Sequence, residues 1–250
     1  MNSSLRSIQP CSIRRRREHA SNEIGTGWLR QNGQDAGPAC AGLRLSVTAR
    51  LDLGYTRADL DAAAADVAIE FSSPEAAVPN LEMLAAAGMP TVCGTTGWYD
   101  ELDRVREAYA AGNTSLVYAS NFSIGVNIFD RLAREAASLF AGQADYEAWA
   151  WEIHHSAKKD APSGTLLTLT AAMKEAGYNR RIDESSSRAG SHPGTHEIGF
   201  DSAADTITLR HTARSREGFA RGALRAAQWA PGKRGVFPFR EVLFGGGTCS

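Results

Sequence analysis

The sequence predicts an α/β fold, with an open parallel sheet followed by an α+β domain. Between residues 43 and 118, short apolar strands alternate with helical segments, which is the pattern of a parallel sheet with crossover helices. Polar loops follow two of these strands, at the sheet edge where such folds bind ligands. After residue 122 an apolar helix is followed by longer alternating strands, which indicates an α+β arrangement. At 250 residues the chain can form two modest domains.

The elements are predicted in chain order from their periodicity. Residues 1–42 show no apolar period and are expected to be irregular. Ser73 is suited to cap a helix that Pro74 begins and Gly88 ends. Strands are predicted at residues 43–50, 67–71, 91–93, 115–118, 146–155, 196–200 and 206–211. Helices are predicted at 56–65, 73–87, 100–111, 126–140, after Pro162, and at 219–229, before a short closing element at 236–243.

Composition excludes several classes of protein. The formal net charge of -1 gives no global field for nucleic acid or an acidic membrane surface, and the four arginines at 14–17 are interpreted as a solvated tail. Four cysteines are scattered without a C-x-x-C pair, which argues against a disulfide framework and favours a reducing compartment. No apolar run approaches the roughly 20 residues of a membrane span, and no secretory signal is visible. A cytoplasmic protein with neither nucleic-acid nor membrane partners is expected.

The stretch WEIHHSAKKDAPSGT, at residues 151–165, concentrates groups that transfer protons and bind anions. His154 and His155 come at the end of a predicted strand, and Lys158 follows them. The chain then enters a helix through a Ser-Gly-Thr turn, and free amides at a helix start attract anions. Because imidazole titrates near neutral pH, it can deliver a proton there. The pattern predicts a pocket for a small carboxylate or phosphate beside a titratable histidine.

Two other interpretations of this stretch stay open. The histidines could be structural groups with satisfied hydrogen bonds, and the lysines a solvated surface. A metal site could form if His154, His155, His192 and His196 converged. The chain has no H-E-x-x-H motif and no cysteine near these positions, so no metal is predicted.

Residues 152–165 closely resemble the signature E-x-H-H-x-x-K-x-D-A-P-S-G-T of the 4-hydroxy-tetrahydrodipicolinate reductases (dihydrodipicolinate reductases) of lysine and diaminopimelate biosynthesis. Other segments are similar to that family in order and spacing. They are DVAIEFSSPE at 66–75, CGTTGW at 93–98, ASNFSIGVN at 119–127, PGTHEIGF at 193–200 and RSREGFARGA at 214–223. The resemblance covers about residues 45–244.

The resemblance implies NADH- or NADPH-dependent reduction of 4-hydroxy-tetrahydrodipicolinate, a cyclic dicarboxylate, to tetrahydrodipicolinate. It implies a Rossmann-like dinucleotide-binding domain at residues 1–122 and 217–250. A substrate-binding and tetramerisation domain would occupy residues 123–216, within a homotetramer. His154 would protonate the ring carbon, and Lys158 would steady the developing charge and the substrate. His155, Gly164 and Thr165 would bind the substrate carboxylates. The implied cofactor-binding residues are Gly94, Thr95, Thr96, Ala119, Ser120, Asn121 and Phe122.

The N-terminus departs from the family pattern. The family begins with an apolar strand and a G-x-x-G-[RK]-M-G loop for the cofactor pyrophosphate. Here the nearest glycine pair is Gly25 and Gly27, without a preceding apolar strand, and Arg30 stands where a third glycine would fall. The first βα unit is therefore read as degenerate. Either residues 1–42 come from a shifted reading frame, or the chain lacks the loop and is a non-catalytic dicarboxylate-binding relic or a subunit impaired in cofactor binding. Nothing in the sequence chooses between NADH and NADPH.

Overall fold

The computed structural model describes residues 11–15, 45–51 and 54–245. Predictions about the glycine pair at positions 25 and 27 fall outside these residues. The chain divides into two compact units. The first comprises Met1–Ser123 with Glu217–Ser250, and the second comprises Ile124–Arg216. No helix among the described residues is long and apolar enough to span a membrane.

Both units combine strands and helices, so the α/β fold class is confirmed. The strands are β1 (Cys11–Arg15), β2 (Leu45–Arg50), β3 (Val67–Glu70), β4 (Thr91–Cys93), β5 (Ser115–Tyr118), β6 (Glu147–His154), β7 (Ile182–Arg188), β8 (Thr195–Asp201), β9 (Thr206–Thr212) and β10 (Gly235–Pro238). The helices are α1 (Arg57–Ala63), α2 (Pro74–Ala86), α3 (Leu102–Ala111), α4 (Ile124–Phe140), α5 (Gly164–Glu175), α6 (Glu217–Trp229) and α7 (Phe239–Phe244). A 3₁₀ turn, Tyr99–Glu101, precedes α3.

The first unit contains a six-stranded sheet in the order β10-β5-β4-β3-β1-β2. Strands β3, β4, β5 and β10 are parallel, as the alternation of strands and helices predicts. Strand β1 differs from the sequence expectation, because it lies in a segment expected to be irregular and pairs antiparallel with both β2 and β3. The sheet is therefore parallel at its centre and antiparallel at one edge.

The centre of this sheet is buried because helices α2 and α6 both pack against β3 and β4. Every residue of these two strands is buried, which explains why they read as short continuous apolar runs. Helix α2 begins with Pro74 at its first position, as predicted, although Ser73 makes no capping hydrogen bond through its side chain. The exception to the apolar pattern is Glu70, a fully buried carboxylate at the end of β3.

The second unit contains a four-stranded sheet in the order β7-β6-β8-β9. Strand β7 runs parallel to β6, whereas β8 is antiparallel to both β6 and β9. Helices α4 and α5 pack against each other. Their buried residues, including Phe129, Ala133 and Leu169, join Ala148 and Ala150 of β6 in one apolar core.

Strand β7 is absent from the sequence prediction. Its sequence, IDESSSR, has a single buried apolar residue, Ile182, and no alternation of apolar and polar positions. The strand forms because its backbone pairs with β6 along its full length, from Ile182 to Arg188. Pairing of this kind depends on a partner far away in sequence, so local periodicity cannot reveal it.

Candidate active site

The site in the second unit is built on the register of three neighbouring strands. Glu152 of β6 lies opposite Ser186 of β7 on one side and His196 of β8 on the other. In β6 it continues the buried row begun by Ala148 and Ala150. A carboxylate therefore occupies a position that is apolar elsewhere along the strand, and it needs hydrogen bonds to compensate for its burial.

One oxygen of Glu152 receives these hydrogen bonds. Its Oε1 accepts from the backbone N–H of Ser163 at 2.8 Å, from Oγ of Ser186 at 2.9 Å and from Nη2 of Arg188 at 2.8 Å. Burial alone would raise the pKa of Glu152, but the hydrogen bonds from Ser163 and Arg188 outweigh it and lower the pKa to about 2. Glu152 is thus a fully buried carboxylate that is ionised at neutral pH.

The other oxygen of Glu152 faces two imidazoles. Its Oε2 lies 3.0 Å from Nδ1 of His154 and 3.4 Å from Nε2 of His196. The first distance is within hydrogen-bond range, but the N–H of His154 does not point along the line between the two atoms. Burial lowers the pKa of His154, with the nearby charges of Lys158 and Arg188 acting in the same direction and Glu152 opposing them. His154 is therefore a largely buried imidazole held between charges of both signs.

Glycine at position 194 leaves room for the other nitrogen of His154. A Cβ built on Gly194 would lie 2.9 Å from Nε2 and 3.0 Å from Cδ2 of that ring. The backbone at Gly194 has φ of +132°, which side-chain-bearing residues rarely adopt. Only glycine satisfies both conditions, so Nε2 faces a backbone without a side chain.

His196 links this cluster to the start of helix α5. Its Nε2 lies 3.1 Å from Oγ of Ser163, and that Oγ caps the helix by accepting from the N–H of Leu166 at 3.2 Å. Burial lowers the pKa of His196 to about 4, and repulsion by His154 adds to this effect. His196 is consequently a neutral imidazole at neutral pH.

The predicted anion-binding residues follow Ser163 directly. Gly164 is exposed at the first position of α5, and Thr165 is half-buried beside it. A Cβ added at Gly164 would meet no atom within 4 Å, so the space beside this helix start is open. Helix α5 has the positive end of its dipole here, as an anion site requires.

Lys158 and His155 occupy the loop between β6 and α5. Nζ of Lys158 donates to both oxygens of Asp160, each at 2.8 Å, so the lysine is already ion-paired. The side chain of Lys158 is mostly buried and that of Asp160 is largely exposed. His155 is half-buried and follows the last residue of β6. Arg188 donates to the backbone oxygen of Asp160, which fastens the loop to β7.

Glu152, His154 and His196 also form a geometric candidate for a metal site, because one ligand atom from each lies within 4.8 Å of the others. The guanidinium of Arg188, however, is 2.8 Å from the same carboxylate. This positive charge lies beside the position that a divalent cation would occupy, which opposes such binding. That no metal binds here stays a prediction.

The other predicted binding residues lie in the first unit, in two loops at the carboxyl edge of the parallel sheet. The loop after β4 is held by hydrogen bonds from the N–H of Gly94 to the oxygen of Glu70, 2.9 Å, and from the N–H of Ser72 to Oγ1 of Thr95, 2.7 Å. Thr95 is buried, whereas Thr96 is exposed. A Cβ at Gly94 would lie 2.0 Å from the ring of Phe71, so a larger residue here would force this ring or the loop to move.

The loop after β5 lies beside the first, since the N–H of Ala119 donates to the oxygen of Cys93 at 3.2 Å. Ser120 is exposed, and Oδ1 of Asn121 accepts from the N–H of Ser123 at 2.8 Å. Phe122 is buried in the core, with its ring 4.9 Å from that of Phe239. Small, partly exposed residues in adjacent loops at this sheet edge fit the nicotinamide end of a dinucleotide. The side chains of Thr95 and Phe122 are turned inward, so these two residues shape the loops.

Two family models match the chain. The model described as "Dihydrodipicolinate reductase, N-terminus" matches residues 14–122, and that described as "Dihydrodipicolinate reductase, C-terminus" matches residues 125–243. This chain belongs to the dihydrodipicolinate reductase family. The N-terminal match starts upstream of residue 45, where the motif resemblance begins.

Named reductases from this family are similar over most of their length. The 4-hydroxy-tetrahydrodipicolinate reductase of Christiangramia forsetii is 38% identical over 205 residues, covering 78% of this chain and 86% of the relative. That of Thiobacillus denitrificans is 38% identical over 234 residues, covering 84% and 83%. The solved structure of dipicolinate-bound dihydrodipicolinate reductase from Paenisporosarcina sp. TG-14 has a TM-score of 0.66 and 21% identity, covering 72% of this chain and 74% of the other. That structure supports the fold.

The sequence of this dihydrodipicolinate reductase family member does not predict every residue that surrounds His154 in the structure. The quoted motifs contain Glu152, Ser163 and Gly194, so the sequence marks these positions. It does not indicate what the three residues do. For His196 the sequence suggests only the alternative metal site. Arg188 had no signal, because it lies in the strand that periodicity does not reveal.

Proposed function

We propose that this chain catalyses the NADH- or NADPH-dependent reduction of 4-hydroxy-tetrahydrodipicolinate to tetrahydrodipicolinate in lysine and diaminopimelate biosynthesis. The observation that carries the proposal is the position of His154. Its largely buried imidazole lies beside the ionised carboxylate of Glu152. The same carboxylate accepts a hydrogen bond from the N–H of Ser163, the residue that caps helix α5, so the imidazole is close to the start of that helix. An acid beside an anion-binding helix start is what reduction of a small diacid requires.

The reaction replaces a hydroxyl group of the substrate by hydrogen, so it consumes one hydride and one proton and releases water. When bound, NADH or NADPH supplies the hydride. The proton comes from His154, whose Nε2 faces the side-chain-free backbone at Gly194. Protonated His154 would transfer this proton to the ring carbon, and Glu152 would keep the imidazole charged until it does so.

The two carboxylates of the substrate would be held by separate groups. Free N–H groups of Gly164 and Thr165 at the start of α5, with the Thr165 hydroxyl, suit one of them. His155 would contact the other. Lys158 would supply a full positive charge after exchanging its partner Asp160 for the substrate. Because Asp160 is exposed, this exchange costs little.

The nicotinamide cofactor would be held by the paired loops of the first unit, and this unit would be the dinucleotide-binding domain. Their main chain and short side chains suit the nicotinamide end. The residues proposed for contact are Gly94, Thr95, Thr96, Ala119, Ser120, Asn121 and Phe122. The open choice between NADH and NADPH is decided by measuring both affinities by calorimetry.

We further propose that the second unit binds substrate and assembles the chain into a homotetramer in the cytoplasm. Support for assembly comes from an apolar stripe on α4, where Ile128, Leu132 and Leu139 are 43%, 49% and 66% exposed. Isolated exposed apolar residues are ordinary, but a stripe along one helix is typical of a contact surface. Sedimentation velocity of the wild type and of Leu132→Glu tests this: a tetramer that dissociates in the variant is expected. The scattered cysteines are consistent with the reducing cytoplasm.

Turnover by the purified chain tests the function directly. The wild type is expected to oxidise NADH or NADPH in the presence of freshly formed 4-hydroxy-tetrahydrodipicolinate. His154→Gln should lower kcat by about 10²–10⁴-fold, since a positioned general acid contributes that much. The same variant should still bind pyridine-2,6-dicarboxylate, because the helix start is unchanged. Loss of Lys158 in Lys158→Met should weaken this binding instead. A wild type that binds the diacid but neither cofactor would refute the reductase function.

A further inference from the structure

The two oxygens of Glu152 have different surroundings, and this difference suggests a role beyond folding. Oε1 accepts three hydrogen bonds, from Ser163, Ser186 and Arg188. Oε2 is fully buried and accepts no aligned hydrogen bond in the structure. Burying a carboxylate oxygen without a hydrogen-bond donor costs free energy, so we expect a neighbouring group that can donate to Oε2.

The nearest candidate donor is Nδ1 of His154, 3.0 Å away. This nitrogen is itself buried and without a hydrogen-bond partner. A small rotation of the imidazole would align the two atoms, and each would then satisfy the other. His196 is the other candidate, at 3.4 Å, but its Nε2 already lies 3.1 Å from Oγ of Ser163. Geometry therefore pairs Oε2 of Glu152 with His154.

Which ring nitrogen carries the proton decides whether His154 can act as an acid. If Nδ1–H points to Glu152, then Nε2 is the nitrogen that gains and loses the catalytic proton. Nε2 is also the atom that faces Gly194, where no side chain blocks it. The opposite tautomer would point the lone pair of Nδ1 at an ionised carboxylate, which is repulsive.

We propose that Glu152 is a positioning residue of this reductase, an inference that rests on the proposed function. It fixes His154 in the tautomer with hydrogen on Nδ1, and it stabilises the imidazolium from which Nε2 gives its proton. Through the N–H of Ser163 it also fastens the anion-binding start of α5 to the same carboxylate. One side chain thereby sets the distance between the acid and the substrate anchor.

Several charged or titratable groups surround the pair, and each bears on its titration. Arg188 comes from β7, His196 from β8, and Lys158 and Asp160 from the loop after β6. His211 of β9 lies opposite His196 in the strand register. Among these described groups, Arg188 and Lys158 disfavour a charged His154, whereas Glu152 and Asp160 favour it. Removing the charge of Glu152 should leave Asp160 as the remaining anion in this set, so the two cationic neighbours should lower the pKa of His154 further.

The pH profile of kcat/KM separates this role from a merely structural one. In Glu152→Gln the limb that falls with rising pH should move at least about one pH unit lower, because an opposite charge within hydrogen-bond distance shifts a pKa by about 1–3 units. Glu152→Asp, which keeps the charge, should return the limb toward its wild-type position even if kcat stays low. A profile of Glu152→Gln that is lower at every pH but unshifted would overturn the proposal.

A measurement on the wild type covers the case in which Glu152→Gln does not fold. With ¹⁵N-labelled histidine, long-range proton–nitrogen spectra at pH 8 report the tautomer of His154, and the spectrum of His154→Gln identifies its resonances. Hydrogen on Nδ1 is expected, and hydrogen on Nε2 would overturn the proposal. A wild type without reductase turnover would refute the proposed function, while the tautomer would still decide the inference about Glu152.

Discussion

The backbone N–H of Ser163 donates a 2.8 Å hydrogen bond to Oε1 of Glu152, which ties the start of helix α5 to the end of strand β6. The two residues are separated by 11 positions, and the segment between them contains His154 at the end of β6 and His155 and Lys158 in the following loop. The same carboxylate binds Arg188 of β7. A single buried charge therefore closes the loop, anchors an edge strand and faces the candidate acid.

Replacing Arg188 with methionine should destabilise the second unit. Glu152 is fully buried, and it would lose its cationic partner while remaining charged. Breaking a buried ion pair from one side typically costs about 3–5 kcal/mol. Arg210→Met, which breaks a more exposed pair with Glu197, is the matched control and should cost under about 1 kcal/mol. Urea unfolding at pH 7 measures both variants, and equal losses would contradict the importance given to Arg188.

Replacing Gly194 with alanine should damage catalysis more than stability alone explains. The new Cβ would lie 2.9 Å from Nε2 of His154, and the backbone φ of +132° adds strain. The ring must move, and a displacement of about 1 Å can cost about 10²-fold in rate. Gly142→Ala is the control, because its Cβ would meet nothing within 4 Å. Steady-state kinetics at substrate saturation would test this, and a normal kcat in Gly194→Ala would disprove the assigned approach of Nε2.

The stability of the chain should fall on mild acidification because of His196. Its pKa is near 6.5 when unfolded and about 4 when folded, so between these values the unfolded chain binds the extra proton. Stability from this group is complete above pH 6.5 and is lost as the pH falls toward 4, by about 3 kcal/mol in all. His196→Asn should flatten the dependence by a similar amount. Urea unfolding of the wild type and of His196→Asn from pH 8 to pH 4 measures this difference. If the stability of both proteins falls equally with pH, His196 is not the cause of the pH dependence.

The sequence predicts the elements whose apolar residues face a core, and it predicts them well. Periodicity identifies β6 because Ala148 and Ala150 alternate with half-exposed aromatic residues. The parallel centre of the first sheet is identified by a different signal, short continuous apolar runs, because every residue of β3 and β4 is buried. Periodicity misses β7, whose residues after Ile182 are polar, since that strand is held by backbone pairing and by the bond from Arg188 to Glu152. Long-range pairing leaves no local trace in composition.

In the site, too, local sequence predicts some features, whereas others depend on long-range strand pairing. The motif at residues 152–165 predicts a histidine, a lysine and a helix start within one loop. It does not predict that Glu152 is the centre of the cluster, because that depends on register. Ser186 and His196 become its neighbours only when β7 and β8 pair with β6. Thr95 and Phe122 show the opposite case, since the motifs predict that they contact the cofactor, while packing turns their side chains inward.

Replacing Gly94 with alanine should weaken cofactor binding without affecting the diacid site. The added Cβ would lie 2.0 Å from the ring of Phe71, so either this ring or the loop after β4 must shift. The ring packs 6.3 Å from that of Phe122 in the loop after β5, so either movement disturbs the proposed cofactor-binding loops. A shift of loop atoms that contact the nicotinamide should raise the Kd for NADH or NADPH by at least about tenfold, roughly 1.4 kcal/mol. Calorimetry should show that pyridine-2,6-dicarboxylate still binds with its wild-type affinity, as it should in Gly142→Ala. Unchanged cofactor affinity in a folded Gly94→Ala variant would contradict the placement of these loops in the cofactor site.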